Sequence, residues 1–183
     1  PPAAPLSCLL RSPPCSPAWS RRGLAQVRAP AFWQRDGFFP VLLSPLATLY
    51  AAATAARVAR PGWRAPVPVI CCGNATAGGS GKTTLALDLG ARLAARGLAF
   101  AFLTRGYGGD EALLLAEVAP TFVGADRAAG ARAAIAGGAK LLVMDDGLQN
   151  SSLAKDSSFL VIDGADGFGN GRVIPAGPLR EPV

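Results

Sequence analysis

The run Gly73-Asn-Ala-Thr-Ala-Gly78-Gly79-Ser80-Gly81-Lys82-Thr83-Thr84 constrains this chain more than any other feature. It lies between a short apolar run, Val67–Cys72, and a segment carrying Leu85, Leu89 and Leu93 at i, i+4, i+8. That spacing predicts a buried strand, a glycine-rich loop and an amphipathic helix over Thr83–Arg96, ended by Gly97. Glycines let backbone N–H groups approach an anion closely, and the helix N-terminus adds positive potential. Lys82 would then reach the β/γ-phosphates of a bound nucleotide, and the Thr83 hydroxyl would ligate Mg²⁺. The general pattern wants Gly five residues before Gly81, where Thr76 stands here.

The rest of the chain from residue 67 keeps the same alternation. Strands are predicted at Ala99–Thr104, Thr121–Val123, Leu141–Met144 and Phe159–Ile162. Helices are predicted at Asp110–Val118 and Asp126–Ala136. Strands alternating with helices imply an α/β fold, a parallel sheet with right-handed crossovers. Residues 164–180 are rich in Gly and Pro and read as loop.

A second motif supports the first. Lys140-Leu-Leu-Val-Met-Asp145-Asp146-Gly147 is an apolar strand delivering two acids to its C-terminal end, the edge where parallel sheets host ligands. One of those acids can hold Mg²⁺ directly or through water. Asp-Asp-Gly also makes an ordinary turn. Two further loops reach the same edge. Arg105-Gly-Tyr107-Gly-Gly109 is followed at once by Asp110 and Glu111. These residues could position a polar acceptor and take a hydroxyl proton, or could be a turn and the cap of the next helix. In Gly167-Phe-Gly-Asn-Gly-Arg172 and onward to Arg180-Glu181, the Asn and two Arg could contact phosphate or sugar, or simply face solvent.

Charge is unevenly placed. Residues 1–70 hold eight Arg and one acid, Asp36, while residues 71–183 hold ten basic and eleven acidic residues. The excess at the front suggests a surface-binding N-terminus rather than a nucleic-acid-binding domain. Within it, Gly37–Ala56 runs twenty residues without a charge, preceded by Arg35 and Asp36 and followed by Arg57, Arg60 and Arg64. That length just reaches a membrane span, but Pro40 and Pro45 would break its first half. A helix lying at a membrane surface is the preferred reading, with the flanking arginines facing anionic headgroups. A span and a buried core helix are the alternatives. Residues 1–27, with six prolines and no period, read as disordered or foreign to the folded unit.

The sequence has no histidine, which removes His-based catalysis and His metal sites within it. Cys71 and Cys72 close an apolar run without zinc spacing and read as reduced and buried. The only Met is Met144, so there is no initiator, and both ends look like the edges of a fragment.

The chain resembles the tetraacyldisaccharide 4'-kinases of the lipid A pathway in Gram-negative bacteria. The matching segments, in the family's order, are Arg64-Ala-Pro-Val-Pro-Val, Gly73-Asn then Thr76-Ala-Gly-Gly-Ser-Gly-Lys-Thr83, Arg105-Gly-Tyr-Gly-Gly, Asp145-Asp-Gly-Leu-Gln149, Val161-Ile-Asp-Gly, Gly167-Phe-Gly-Asn-Gly-Arg172 and Pro175-Ala-Gly-Pro-Leu-Arg-Glu-Pro182. The family itself carries Thr where Thr76 stands. The resemblance covers roughly residues 28–183.

It implies a P-loop NTPase-like sheet (65–183) flanked by helices, with an N-terminal membrane-associating segment (28–64). It also implies ATP- and Mg²⁺-dependent transfer to the 4'-hydroxyl of an acylated glucosamine disaccharide, on the cytoplasmic face of the inner membrane. No protein or nucleic-acid partner is implied. Carried over, Thr76, Ala77, Gly78, Gly79, Ser80, Gly81, Lys82 and Thr83 cradle ATP, with Thr83, Asp145 and Asp146 at the metal and Gln149 near the nucleotide. Arg105, Tyr107, Glu111, Arg180 and Glu181 sit toward the lipid head group. The family's Gly-Asp-Glu-Pro motif supplies a catalytic base, and its only match, Gly109-Asp110-Glu111-Ala112, assigns that base to Asp110. Departures are a proline replaced at Thr84 and at Ala112, and the absence of the long family segment between the Tyr-Gly-Gly loop and Asp110. The family also continues beyond Pro182 into a second lobe supplying a histidine.

Overall fold

The computed structural model describes residues 29–78, 81–106 and 110–182. A 3-10 turn, Ala31–Gln34, leads into the long helix α1 (Phe38–Val58). Then follow β1 (Val69–Gly73), α2 (Lys82–Ala95), β2 (Phe100–Thr104), α3 (Asp110–Ala116), β3 (Thr121–Val123), α4 (Arg127–Ala136), β4 (Leu141–Asp145) and β5 (Ser157–Leu160). The five strands form one sheet in the order β3-β2-β4-β1-β5, every pair parallel. A sheet covered on both faces needs strands apolar at every position rather than alternately. The core shows this. Cys71, Leu103, Leu142 and Met144 pack on one face with Ala131 and Ala134 of α4. Cys72, Phe102 and Val143 pack on the other with Ala86 and Leu93 of α2 and Leu115 of α3.

The neighbouring cysteines thus point to opposite faces, both fully buried and unbridged. Burial pushes the Cys71 thiol up to about 11 and the Cys72 thiol up to about 12, so both stay protonated packing groups. Cys72 pairs in register with Asp145. The end of β1, where the phosphate loop starts, therefore lies beside the end of β4, where the acids stand.

The expected last strand at Phe159–Ile162 forms instead at Ser157–Leu160. It is an exposed edge strand, paired with β1 so that Cys71 stands opposite Ser158 and Gly73 opposite Leu160.

The prolines of the charge-free segment do not break it. Pro40 occupies the first turn of α1, where backbone donors have no helical partner to lose. Pro45 is interior, and Val41, whose carbonyl it leaves without a donor, is 61% exposed, so solvent can take that bond. Nor is α1 a core helix. Only Pro40, Ala47 and Thr54, spaced seven apart, are buried. The opposite stripe of Phe38, Leu42, Leu46 and Leu49 is 55–75% exposed.

Candidate functional site

The site sits at the C-terminal edge of the sheet. Gly81 takes a left-handed conformation (φ 79°) as the N-cap of α2, which turns the loop into the helix and puts Lys82 and Thr83 in its first turn. The Thr83 hydroxyl donates to Asp145 Oδ2 at 3.2 Å. The Lys82 ammonium lies 3.9 Å from Asp146 Oδ1, and Arg180 Nη1 donates to the same oxygen at 3.0 Å. Asp146 holds a left-handed φ of 50°, which swings it away from the strand and toward these cations.

Asp145 is 1% exposed, and its Oδ1 has no hydrogen-bond partner among the described residues. Burial pushes its carboxyl up to about 6, with the nearby Glu111 and Asp146 adding to the rise and Thr83 and Lys82 opposing it. An orphaned buried carboxylate oxygen beside a hydroxyl is a hard-oxygen donor set that suits Mg²⁺. Among the described residues no three acids or cysteines form a ready-made metal cage. That suits an ion held by one or two carboxylates together with phosphate oxygens.

The segment after β5 closes the site from above. Arg180 N donates to the Ala75 carbonyl at 2.6 Å, and Ala77 N to the Pro178 carbonyl at 2.7 Å. Thr76 pairs with Leu179, so the phosphate loop is laced to this segment by backbone bonds. Gln149 Nε2 donates to Glu181 Oε1 at 2.9 Å. Of the expected residues, the structure thus brings together Thr76, Ala77, Lys82, Thr83, Asp145, Asp146, Gln149, Arg180 and Glu181. Gly78 also belongs, its carbonyl accepting from Asn74 Nδ2. Gly79, Ser80 and Tyr107 lie outside the described residues, as do residues 1–27. Asp110 is exposed at the head of α3, and the acid of that turn whose charge acts on Asp145 is Glu111.

A cavity of about 540 Å³ opens beside this cluster, between α1 and the sheet edge. Arg57, Arg105, Arg127 and Arg180 line it, with Asp146, Gln149 and Tyr50. One of these arginines, Arg127, lies in none of the sequence motifs. Arg127 is 2% exposed, donates to the Gly124 carbonyl and reaches the Asp145 carbonyl at 3.4 Å. Its Nε has no partner among the described residues. Its one sequence signal is its place just after Asp126, whose carboxylate caps α4. Arg57, one of the arginines expected to face headgroups, lines the cavity. Arg64, from the same group, pairs with Asp156 at 3.1 Å.

Asn170 and Arg172, which the sequence leaves open between a phosphate or sugar contact and solvent, hold the N-terminal segment. Asn170 Nδ2 donates to the carbonyls of Phe32 and Ala176 at 3.2 and 2.9 Å. Arg172 bonds Asp36 at 2.9 Å and Ser44 Oγ at 2.8 Å. The Trp33 indole donates to the Pro175 carbonyl at 3.1 Å.

A parallel sheet with a glycine loop, a lysine and a hydroxyl at one strand end and paired acids at the next defines a P-loop kinase fold. Residues 39–183 match the family model LpxK, tetraacyldisaccharide-1-P 4'-kinase, and the chain belongs to that family. A tetraacyldisaccharide 4'-kinase of Gluconacetobacter diazotrophicus is 61% identical, covering 86% of this chain and 54% of that protein. One from Rhodospirillum rubrum is 51% identical with the same coverage. The crystal structure of LpxK from Aquifex aeolicus in complex with ATP is similar at a TM-score of 0.66 and 29% identity, covering 79% of this chain and 55% of that one. The chain thus spans about half the length of the curated relatives it matches. The Gluconacetobacter alignment runs over 178 residues, and 86% of 183 residues is about 157, so roughly twenty aligned positions have no residue here.

Proposed function

We propose that this chain binds Mg·ATP at the phosphate loop and carries the phosphoryl-transfer site for the 4'-hydroxyl of a tetraacylated glucosamine disaccharide 1-phosphate. The observation that carries the reading is the Thr83–Asp145 contact beside Lys82, in a chain of this family. Thr83 and Asp145 would hold Mg²⁺, which neutralises phosphate charge when bound. Lys82 would draw the β/γ-phosphates out of water, with Arg180 next to it. The arginine-lined cavity suits an anionic sugar head group, and Arg105, Tyr107, Glu111, Arg180 and Glu181 are the residues assigned to it. Asp110 is assigned as the base that receives the acceptor proton. The exposed apolar stripe of α1 supports docking on a membrane surface, assigned to the cytoplasmic face of the inner membrane.

A second reading is nucleotide binding without transfer, favoured by the roughly twenty missing aligned positions. The sequence departure puts that gap beside the base, between Gly109 and Asp110. ATP labelled at its γ-phosphate, incubated with Mg²⁺, the lipid disaccharide and this chain, decides between the two. Transfer above the uncatalysed background supports the first reading. Binding by calorimetry with no transfer supports the second. Neither binding nor transfer would defeat both. Where transfer is seen, Asp110→Asn should lower kcat by roughly 10²–10⁴ with ATP affinity kept.

A further inference from the structure

Lys155 stands outside every motif described above. It is half-buried in the connection between β4 and β5. Its ammonium donates to the Leu148 carbonyl at 2.8 Å and to the Asn150 carbonyl at 2.7 Å. Those two carbonyls flank Gln149. The Gln149 side chain in turn donates to Glu181 Oε1 at 2.9 Å and to the Asn74 carbonyl at 3.4 Å. Asn74 opens the phosphate loop, is fully buried, and braces that loop through its bond to the Gly78 carbonyl at 3.2 Å. Gln149 is therefore the point where the acid-bearing turn, the base of the phosphate loop and the Arg180-Glu181 segment meet.

A lysine is a costly choice for filling this space. Burial disfavours its charge and lowers its pKa. An apolar side chain of the same length would carry no such cost. What the ammonium adds is a pair of charge-assisted bonds, one on each side of the residue to be aimed. The turn's own bond, Asn150 N to the Gly147 carbonyl at 3.0 Å, leaves the Leu148 and Asn150 carbonyls on either side of Gln149 to be held by the lysine.

We propose that Lys155 is a positioning residue for nucleotide binding, clamping the Leu148 and Asn150 carbonyls so that Gln149 joins the phosphate loop to the Arg180-Glu181 segment. The proposal rests on the nucleotide-site reading above.

The test is Mg·ATP affinity of the 183-residue chain by calorimetry. A wild-type chain that does not bind defeats the nucleotide-site reading, and this proposal with it. Given wild-type binding, Lys155→Met, which keeps the stem and loses the donors, is expected to weaken affinity about tenfold. Lys155→Arg, which keeps charge and donors, should restore affinity to within about threefold of wild type. In a Gln149→Ala background Lys155→Met should cost less than about twofold, because the side chain it aims is gone. Circular dichroism checks folding, and Lys155→Leu, which also lacks donors, replaces the methionine variant if that one does not fold. Unchanged affinity in the donor-deleted variant, or losses that multiply in the double variant, would overturn the proposal.

Discussion

The Thr83 hydroxyl and the Asp145 carboxylate, 62 positions apart in sequence, meet at 3.2 Å because β1 and β4 are neighbours in register. The phosphate loop leaves one strand and the acid ends the next. The contact satisfies one oxygen of Asp145 and leaves the other, buried, without a partner among the described residues. In the ligand-free chain this is a cost to stability at a place where metal would be held.

That cost has a pH signature. Burial raises the Asp145 carboxyl from 3.8 to about 6 in the fold, so protonating it favours the folded state. Its stabilisation is fully present below about pH 4 and is lost as pH rises through about 6. Asp145→Asn imitates the protonated form. At pH 7.5 the variant should exceed wild type in ligand-free stability by up to roughly 3 kcal/mol, from a shift of about two units at 1.4 kcal/mol each. The gap should shrink toward zero by pH 4. Urea unfolding of both proteins at several pH values measures it, and a pH-independent gap would refute the assignment. The same variant should lose Mg²⁺-dependent nucleotide binding.

Lys82→Ala should do the reverse. Without nucleotide the Lys82–Asp146 pair is long at 3.9 Å, and Asp146 keeps Arg180 at 3.0 Å, so the fold should lose less than about 1 kcal/mol. With nucleotide, the loss of a charged partner for the phosphates should weaken Mg·ATP binding by roughly 100-fold, equivalent to about 3 kcal/mol. Calorimetry reads the affinity. Equal affinity in wild type and variant would remove Lys82 from the site.

The parts of this site that were legible in sequence are those written in one contiguous stretch. A strand, a glycine loop and a helix are coded locally over Val67–Arg96, and Asp145-Asp146 follow an apolar run that reads as a strand end. Arg127 and Lys155 were not legible. The first hides in an Ala/Arg-rich helix, and its burial emerges only with the fold, where it reaches the Asp145 carbonyl at the end of β4. The second has meaning only through carbonyls five and seven residues away in a turn whose shape sequence does not print. For Asn170 and Arg172 the sequence leaves open an anion contact or solvent. Here their partners, Phe32, Asp36 and Ser44, come from the opposite end of the chain.

Those partners make the Gly167–Glu181 segment a strap between α1 and the phosphate loop. Gly177 marks its tightest point. A Cβ there would overlap Asn170 Oδ1 and the Arg172 carbonyl, both backbone-anchored. Gly177→Ala should therefore destabilise the chain by about 1–3 kcal/mol, the usual range for overpacking. Asn170→Ala, which strips donors from the Phe32 and Ala176 carbonyls, should cost a similar amount. Urea midpoints give both values, and a midpoint unchanged in both variants would mean that the strap does not hold the N-terminal segment.

The last prediction concerns what α1 faces. Its buried row, Pro40, Ala47 and Thr54, is small or short, and beside it Ala51 of α1 packs with Val173 of the strap. Its outer stripe carries Phe38 at 75% and Leu49 at 67% exposure, which no other described element covers. Burying such a stripe in a bilayer interface is worth about 1.5–3 kcal/mol per large side chain, discounted for partial insertion. Replacing Phe38, Leu42, Leu46 and Leu49 together by Ser leaves the buried row untouched. The variant should keep its fold and its Mg·ATP affinity yet lose most of its co-sedimentation with vesicles containing anionic lipid. Wild type should bind those vesicles, and should bind neutral ones more weakly if Arg35 and Arg60, at the two ends of the helix, contribute attraction to headgroups. Undiminished vesicle binding by the four-serine variant would show that α1 is not the membrane-facing element.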